Sequence, residues 1–200
     1  LTERLLLATT NPGKITEMQA YMEDLPLEVH ALLAWDRFEP FPEKGETFLE
    51  NARGKSIHYS RGWEGITLGE DSGLEIDFLG GAPGVLSARF AGPRATDAEN
   101  IQKVLDLMQG VPWARRRARF VSTMVLSRKG QVLVEIEATA EGYLLDYPQG
   151  SYGFGYDPIF YFPPLKKTFA ELVPQEKNRV SHRGQALNKF KRFLRTHFGL

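Results

Sequence analysis

Four short stretches of this chain carry the residue types that chemistry on an anion would need. The first is Thr9-Thr10-Asn11-Pro12-Gly13-Lys14. Asn11 suits a helix N-cap and Pro12 the first helical position, so the stretch reads as strand, tight turn and helix start. A helix start offers unpaired amide donors and partial positive charge to an anion, and Lys14 adds a full charge. The second is Glu70-Asp71-Ser72-Gly73, two adjacent acids where the pattern reads as a strand end. An Asx-type turn, a cap and a metal site all fit that pattern. Mg²⁺ takes hard oxygen ligands, commonly one or two carboxylates plus substrate phosphates. A carboxylate there can also accept a proton from an attacking water.

The third stretch, GSYGFGYDP at 150–158, has glycines that let backbone approach a ligand, while Phe154 and Tyr156 offer flat apolar faces. The fourth is EKNRVSHRGQAL at 176–187. Ser181 suits a helix cap, and His182 and Arg183 then fall in the first turn, where cations oppose the helix dipole. Such a local conflict points to a functional demand, and Lys177 adds positive charge nearby. Lys55 lies on the helix after FLEN and either reaches toward phosphates or is a solvated lysine; Glu50 is better explained by capping. The run ARRRAR at 114–119 reads as the exposed start of a strand.

The elements that must position these residues are legible in outline. Residues 4–10 form a strand, and Ile15, Met18, Met22 and Leu25 line one face of the helix that follows. Thr47 with Glu50, and Thr96 with Glu99, have capping-box spacing and open two further helices. Residues 66–70 and 74–78 read as two strands, and 117–127 with 131–138 as a hairpin about Lys129-Gly130. A last helix after Ser181 buries Leu187, Phe190, Leu194 and Phe198. Strands and helices interleave, so the fold class is α/β with a mixed sheet.

Composition narrows the partners. The 200 residues suit one domain, or one domain with two lobes. Lys+Arg and Asp+Glu balance at 25 each, so no global field favours nucleic acid or a membrane surface. The absence of Cys excludes disulfides, thiolate metal sites and a cysteine nucleophile. No stretch has the length of a membrane span and the start lacks a signal-peptide pattern, so the expected compartment is the cytoplasm.

Taken in order, TTNPGK, TFLENARGKS, EDSGLEIDFLGGAPGVLSARFAG, GFGYDPIF, TFAEL and KNRVSHRGQAL resemble the inosine/xanthosine triphosphate pyrophosphatase family, also called Ham1-like, from about residue 5 to 195. The resemblance implies an elongated mixed sheet with flanking helices, forming one domain over 1–200 whose two lobes enclose a nucleotide cleft. It implies Mg²⁺-dependent hydrolysis of ITP, dITP and XTP to monophosphate and pyrophosphate, usually by a homodimer. Carried over by motif, Thr9, Thr10, Asn11, Pro12, Gly13 and Lys14 hold phosphates, with Lys55 nearby. Asp71 is proton acceptor and metal ligand, and Ser72 contacts substrate. Phe154, Gly155, Tyr156 and Asp157 form the base-binding stretch, with Phe154 as the stacking ring. Lys177, His182 and Arg183 make the remaining substrate contacts. Metal ligands are Asp71 and Glu70, joined by a Glu before the second helix: Glu43, or else Glu39. Two departures stand out: Glu70 where the family usually has Asp, and Tyr152 where it has the first Gly of Gly-Gly-Phe-Gly.

Three other readings compete with this one. A nucleotide sensor without efficient catalysis would account for Glu70. A nucleic-acid module built on ARRRAR would show a steep salt dependence, and the zero net charge counts against it. The similarly folded Maf-like pyrophosphatases match these motifs less well.

Overall fold

The computed structural model describes residues 2–32 and 38–199. In chain order the elements are β1 (Glu3–Leu7), α1 (Pro12–Met22), β2 (Leu27–Ala31), α2 (Phe48–Ser60), β3 (Ile66–Ile76), α3 (Asp97–Leu107), β4 (Arg117–Arg128), β5 (Gln131–Leu144), β6 (Phe160–Phe162), β7 (Lys167–Thr168), α4 (Pro174–Val180) and α5 (His182–Phe198). The strands hydrogen-bond in the order β2-β1-β3-β4-β5-β6-β7. β1 runs parallel to β2 and β3, while β6 is antiparallel to β5 and β7. The sheet is therefore mixed, and the α/β expectation holds.

Local chemistry explains the element starts. Asn11 caps α1 by accepting from the Lys14 amide, with Pro12 at the first helical position. Thr47–Glu50 and Thr96–Glu99 are complete capping boxes on α2 and α3. Lys129 and Gly130 both have positive φ, the backbone that a two-residue hairpin between twisted strands requires.

One element differs from expectation in a way that bears on function. The acidic stretch 70–73 is not a turn between two strands, because β3 runs unbroken from Ile66 to Ile76 through Glu70 and Asp71. Acids and glycine read as a breaker locally, but pairing with flanking strands overrides that propensity. β1 also stops at Leu7, short of Thr10. α4, β2 and the very short β6 and β7 carried no expectation; β6 and β7 owe their existence to pairing with a neighbour.

The chain divides into two compact units. One comprises Leu1–Asp71, Ser122–Ala138 and Gly184–Leu200, the other Ser72–Val121 and Thr139–Arg183. In the first unit Leu5, Leu7, Ile66 and Leu68 pack with Met18 and Met22 of α1 and with Leu187, Phe190 and Leu194 of α5. Leu6 and Ala8, on the opposite face by strand alternation, pack with Tyr59 of α2 and with Trp63. In the second unit Leu74, Ile76, Phe120, Phe160 and Phe169 form a core with Ile101 and Val104 of α3. Its Arg116 is buried and donates to the carbonyls of Leu144 at 2.7 Å, Met108 at 3.0 Å and Leu145 at 2.9 Å.

Candidate active site

Glu70 and Asp71 are consecutive in a strand, so their side chains leave opposite faces of the sheet. Glu70, 1% exposed, lies on the α1 side: Lys14 Nζ is 2.7 Å from its Oε2, and Ser122 Oγ on β4 donates to Oε1 at 3.1 Å. Asp71, 7% exposed, lies on the α2 side, where Asn51 Nδ2 donates to Oδ2 at 3.0 Å and Lys55 Nζ is 3.5 Å from Oδ1. Lys55 also lies 3.2 Å from Glu43 and so bridges the two acids. Burial pushes the Asp71 carboxyl above its ordinary range, against the lowering pull of Lys55, Lys14 and the Asn51 hydrogen bond; Glu70 adds to the rise.

The approach of α2 to β3 depends on Gly69. A Cβ there would lie 2.2 Å from the Ala52 carbonyl oxygen and 2.7 Å from the Ser56 amide nitrogen. Residue 69 shares its face with Asp71, so the missing side chain is what lets α2 bring Asn51 and Lys55 close to that acid. Asn51 itself is oriented from its other side, because its Oδ1 accepts from the Gly45 amide at 2.8 Å. Neither Gly69 nor Asn51 was singled out from sequence. The available signal was an Asn inside a helix, where it is unfavourable unless its amide has a tertiary partner.

At the start of α1, Thr9 Oγ1 accepts from the Asn11 amide at 3.2 Å, and the cap brings Lys14 around to Glu70. Thr10 and Pro12 are exposed, and Gly13 is half-buried at the second helical position. Glu39 engages His58 Nε2 through its main-chain oxygen at 2.7 Å. Among the described residues no three acidic or imidazole side chains gather into a cage able to hold a metal unaided. Asp71 and Glu43, which share Lys55, fit an ion of the Mg²⁺ type, which keeps waters and takes its further oxygens from substrate phosphates. Glu70, read from sequence as a metal ligand, leaves the opposite face of β3 toward Lys14 and does not join them.

The second unit holds the other group of site residues. Phe154 is half-buried, with Lys177 Nζ 4.9 Å and the Arg183 guanidinium carbon 5.4 Å from its ring centroid. Asp157, buried, accepts from the Phe154 amide at 2.9 Å and is ion-paired with the buried Lys177. Arg183 donates to Ser72 Oγ at 2.8 Å. Gly153 has φ of +75°, and a Cβ there would come 2.0 Å from Asp157 Oδ2. Tyr152 is exposed with no positive φ, so the loop accommodates its side chain.

Two residues sit differently from the sequence reading. Tyr156 does not present a flat face for a base: its ring is in the core, and its hydroxyl donates to the Ser87 carbonyl at 2.7 Å. An aromatic beside glycines looks available, but a buried hydroxyl needs a partner, and Ser87 supplies it. His182 is buried and stacks on Phe120, with centroids 4.7 Å apart and planes 9° from parallel. The basic run is likewise no uniform solvated face. Arg116 is buried as described, Arg119 pairs with Glu75 at 2.7 Å, and Arg115 lies 4.6 Å over the Phe78 ring.

Known proteins are similar to this one along nearly the whole chain. The model of the Ham1 family matches residues 5–193. A Geobacillus kaustophilus protein named dITP/XTP pyrophosphatase is 44% identical over 187 residues, covering 94% of this chain and 92% of that protein. The solved HAM1 protein of Coxiella burnetii superposes with a TM-score of 0.87 at 40% identity, covering 97% of this chain and 99% of that one. The Ham1 protein of Staphylococcus aureus gives 0.86 at 35% identity over the same shares. With a family model matched over 5–193 and these relatives in agreement, the chain belongs to the Ham1 family.

Proposed function

We propose that this protein hydrolyses non-canonical purine nucleoside triphosphates (ITP, dITP and XTP) to the monophosphate and pyrophosphate, with Mg²⁺ as cofactor. The observation that carries the reading is the buried network in which Glu70 and Asp71, on opposite faces of one strand, meet Lys14 and Lys55. Names borne by relatives such as the Geobacillus kaustophilus protein support the substrate class.

The chain's own residues divide the work. Amides of the first turn of α1, with Lys14 and Lys55, bind phosphate oxygens. Asp71, held by Asn51, takes the proton of the water that attacks the α-phosphate, and pyrophosphate leaves in line. Asp71 and Glu43 would hold the metal, which when bound would supply neutralisation of charge on the phosphate oxygens, while Glu70 pairs with Lys14 from the other face of β3. Phe154 stacks on the base, with Lys177 and Arg183 against its ring. Donors from His182 and Arg183 favour a 6-oxo purine; facing the amine of ATP, an unsatisfied donor costs about 1–3 kcal/mol. A homodimer acting in the cytoplasm completes the proposal. Among the described residues no helix is long and apolar enough to cross a membrane.

The test is a panel of ITP, dITP, XTP, ATP and GTP with Mg²⁺, scored for monophosphate and pyrophosphate, alongside chelated metal and Asp71→Ala. Preferred release of pyrophosphate from ITP, dITP and XTP, lost in both controls, is expected. Release of single phosphate, or tight binding with no turnover, would overturn the reading.

A further inference from the structure

Asp97 has no place in the site as built so far, yet it reaches into the base-binding loop. It is the first residue of α3, and its Oδ2 accepts from the Gly155 amide at 2.7 Å across 58 residues of sequence. The preceding amide, that of Phe154, donates to Asp157 Oδ2 at 2.9 Å. Two successive amides are thus each taken by a carboxylate, one from α3 and one from the loop itself. These amides flank the α-carbon of Phe154, so holding both fixes the direction in which its ring leaves the backbone.

The surrounding residues make such a constraint necessary. Gly153 and Gly155 have φ of +75° and +61°, so Phe154 sits between two pivots with wide conformational freedom. A Cβ at Gly155 would meet nothing within 4 Å, so packing does not restrain that side. The Asp157 clip is braced by buried Lys177. Asp97 is braced differently: the Thr96–Glu99 capping box fixes the start of α3, and Ile101 and Val104 seat that helix in the core. The charge of Asp97 also adds to burial in keeping the Tyr156 phenol protonated as a donor to Ser87.

We infer that Asp97 is a positioning residue that, together with Asp157, clips the Phe154 peptide and presents the ring for base stacking. This rests on the reading of Phe154 as the base-stacking ring. Its effect falls on recognition of the base and not on the phosphate chemistry. Without the clip the loop samples other orientations, and apparent affinity falls in proportion to the population that remains competent.

The experiment compares wild type with Asp97→Ala, Asp97→Asn and Asp97→Ser by dITP kinetics and by hydrogen exchange of the Gly155 amide. Asn keeps a side-chain oxygen that can accept. Ser keeps a good helix-start residue but is too short to reach the amide, and so stands in should Asp97→Ala disturb α3. In Asp97→Ala and Asp97→Ser the Gly155 amide exchanges faster and KM rises about tenfold with kcat nearly unchanged; Asp97→Asn recovers most of both. Wild-type turnover with unchanged KM and exchange in Asp97→Ala and Asp97→Ser overturns the clip alone, as does Asp97→Asn failing to recover. A wild type that releases no pyrophosphate from dITP instead overturns the functional reading.

Discussion

Asn51 holds Asp71 with one end of its amide and is held by the Gly45 main chain with the other. The side chain is therefore a fixed spacer between the segment leading into α2 and the acid on β3. Its nitrogen faces the carboxylate and its oxygen faces an N–H, which settles which way the amide points.

That relationship predicts an asymmetry between an isosteric change and a truncation. Asn51→Asp keeps an acceptor for the Gly45 amide but sets a second carboxylate against Asp71. Asn51→Ala removes both bonds and leaves buried groups unpaired. Both should lower kcat for dITP, Asn51→Ala by about tenfold or more and Asn51→Asp further, because repulsion is added to the lost bond. Steady-state kinetics on variants with native circular dichroism decides it; equal activity of Asn51→Asp and wild type would remove Asn51 from the account.

Truncating the stacking ring should act on binding. Phe154→Ala should raise KM by about tenfold to a hundredfold, matching the roughly 1–3 kcal/mol of base–aromatic stacking, with a smaller change in kcat. Phe154→Tyr should stay near wild type. A Phe154→Ala variant with normal KM would mean the base is recognised elsewhere.

Gly69 should tolerate no side chain. The Cβ of Gly69→Ala would strike main-chain atoms of α2, which have little room to yield. The helix must retreat, drawing Asn51 and Lys55 away from Asp71, at a stability cost of about 1–3 kcal/mol. Urea unfolding measures the cost, and activity should fall by more than stability explains. Full activity in a stable Gly69→Ala protein would contradict this.

Acid should weaken the fold through carboxyls held below their usual range. Glu135 is lowered chiefly by its hydrogen bond to Arg53, Asp24 chiefly by that to Lys191, and Glu99 by the Thr96 amide. A lowered folded value gives stabilisation that is present above the ordinary carboxyl pKa, near 4, and lost as pH falls through the folded value. Urea midpoints should therefore decline below about pH 4, and Glu135→Gln should decline less steeply than wild type. An unchanged slope in that variant would exclude the Arg53 pair as a contributor.

What the sequence revealed, and what it concealed, follows the range of each interaction. Caps and the Lys129–Gly130 turn were legible because their partners lie within a few residues, and the core face of α5 because its helical spacing stands in its own sequence although its partners are distant. The continuity of β3 was not, since Glu70, Asp71 and Gly73 read locally as a turn and only strand pairing and the helix packed on Gly69 overrule them. The burial of Tyr156 and Arg116 depended on carbonyls at Ser87, Met108, Leu144 and Leu145. The candidate site residues were read as motifs. Asn51 and Asp97, which hold them, were missed because their partners lie 20 and 58 positions away.

The discontinuous first unit sets an order on synthesis at the ribosome. Leu5, Met18 and Met22 share their core with Leu187, Phe190 and Leu194, which are made well over a hundred residues later. At typical elongation rates these partners emerge about 10–30 s apart. For that interval the apolar side of α1 lacks its α5 partners and stands open to other contacts, so the first unit closes only after most of the second has been made.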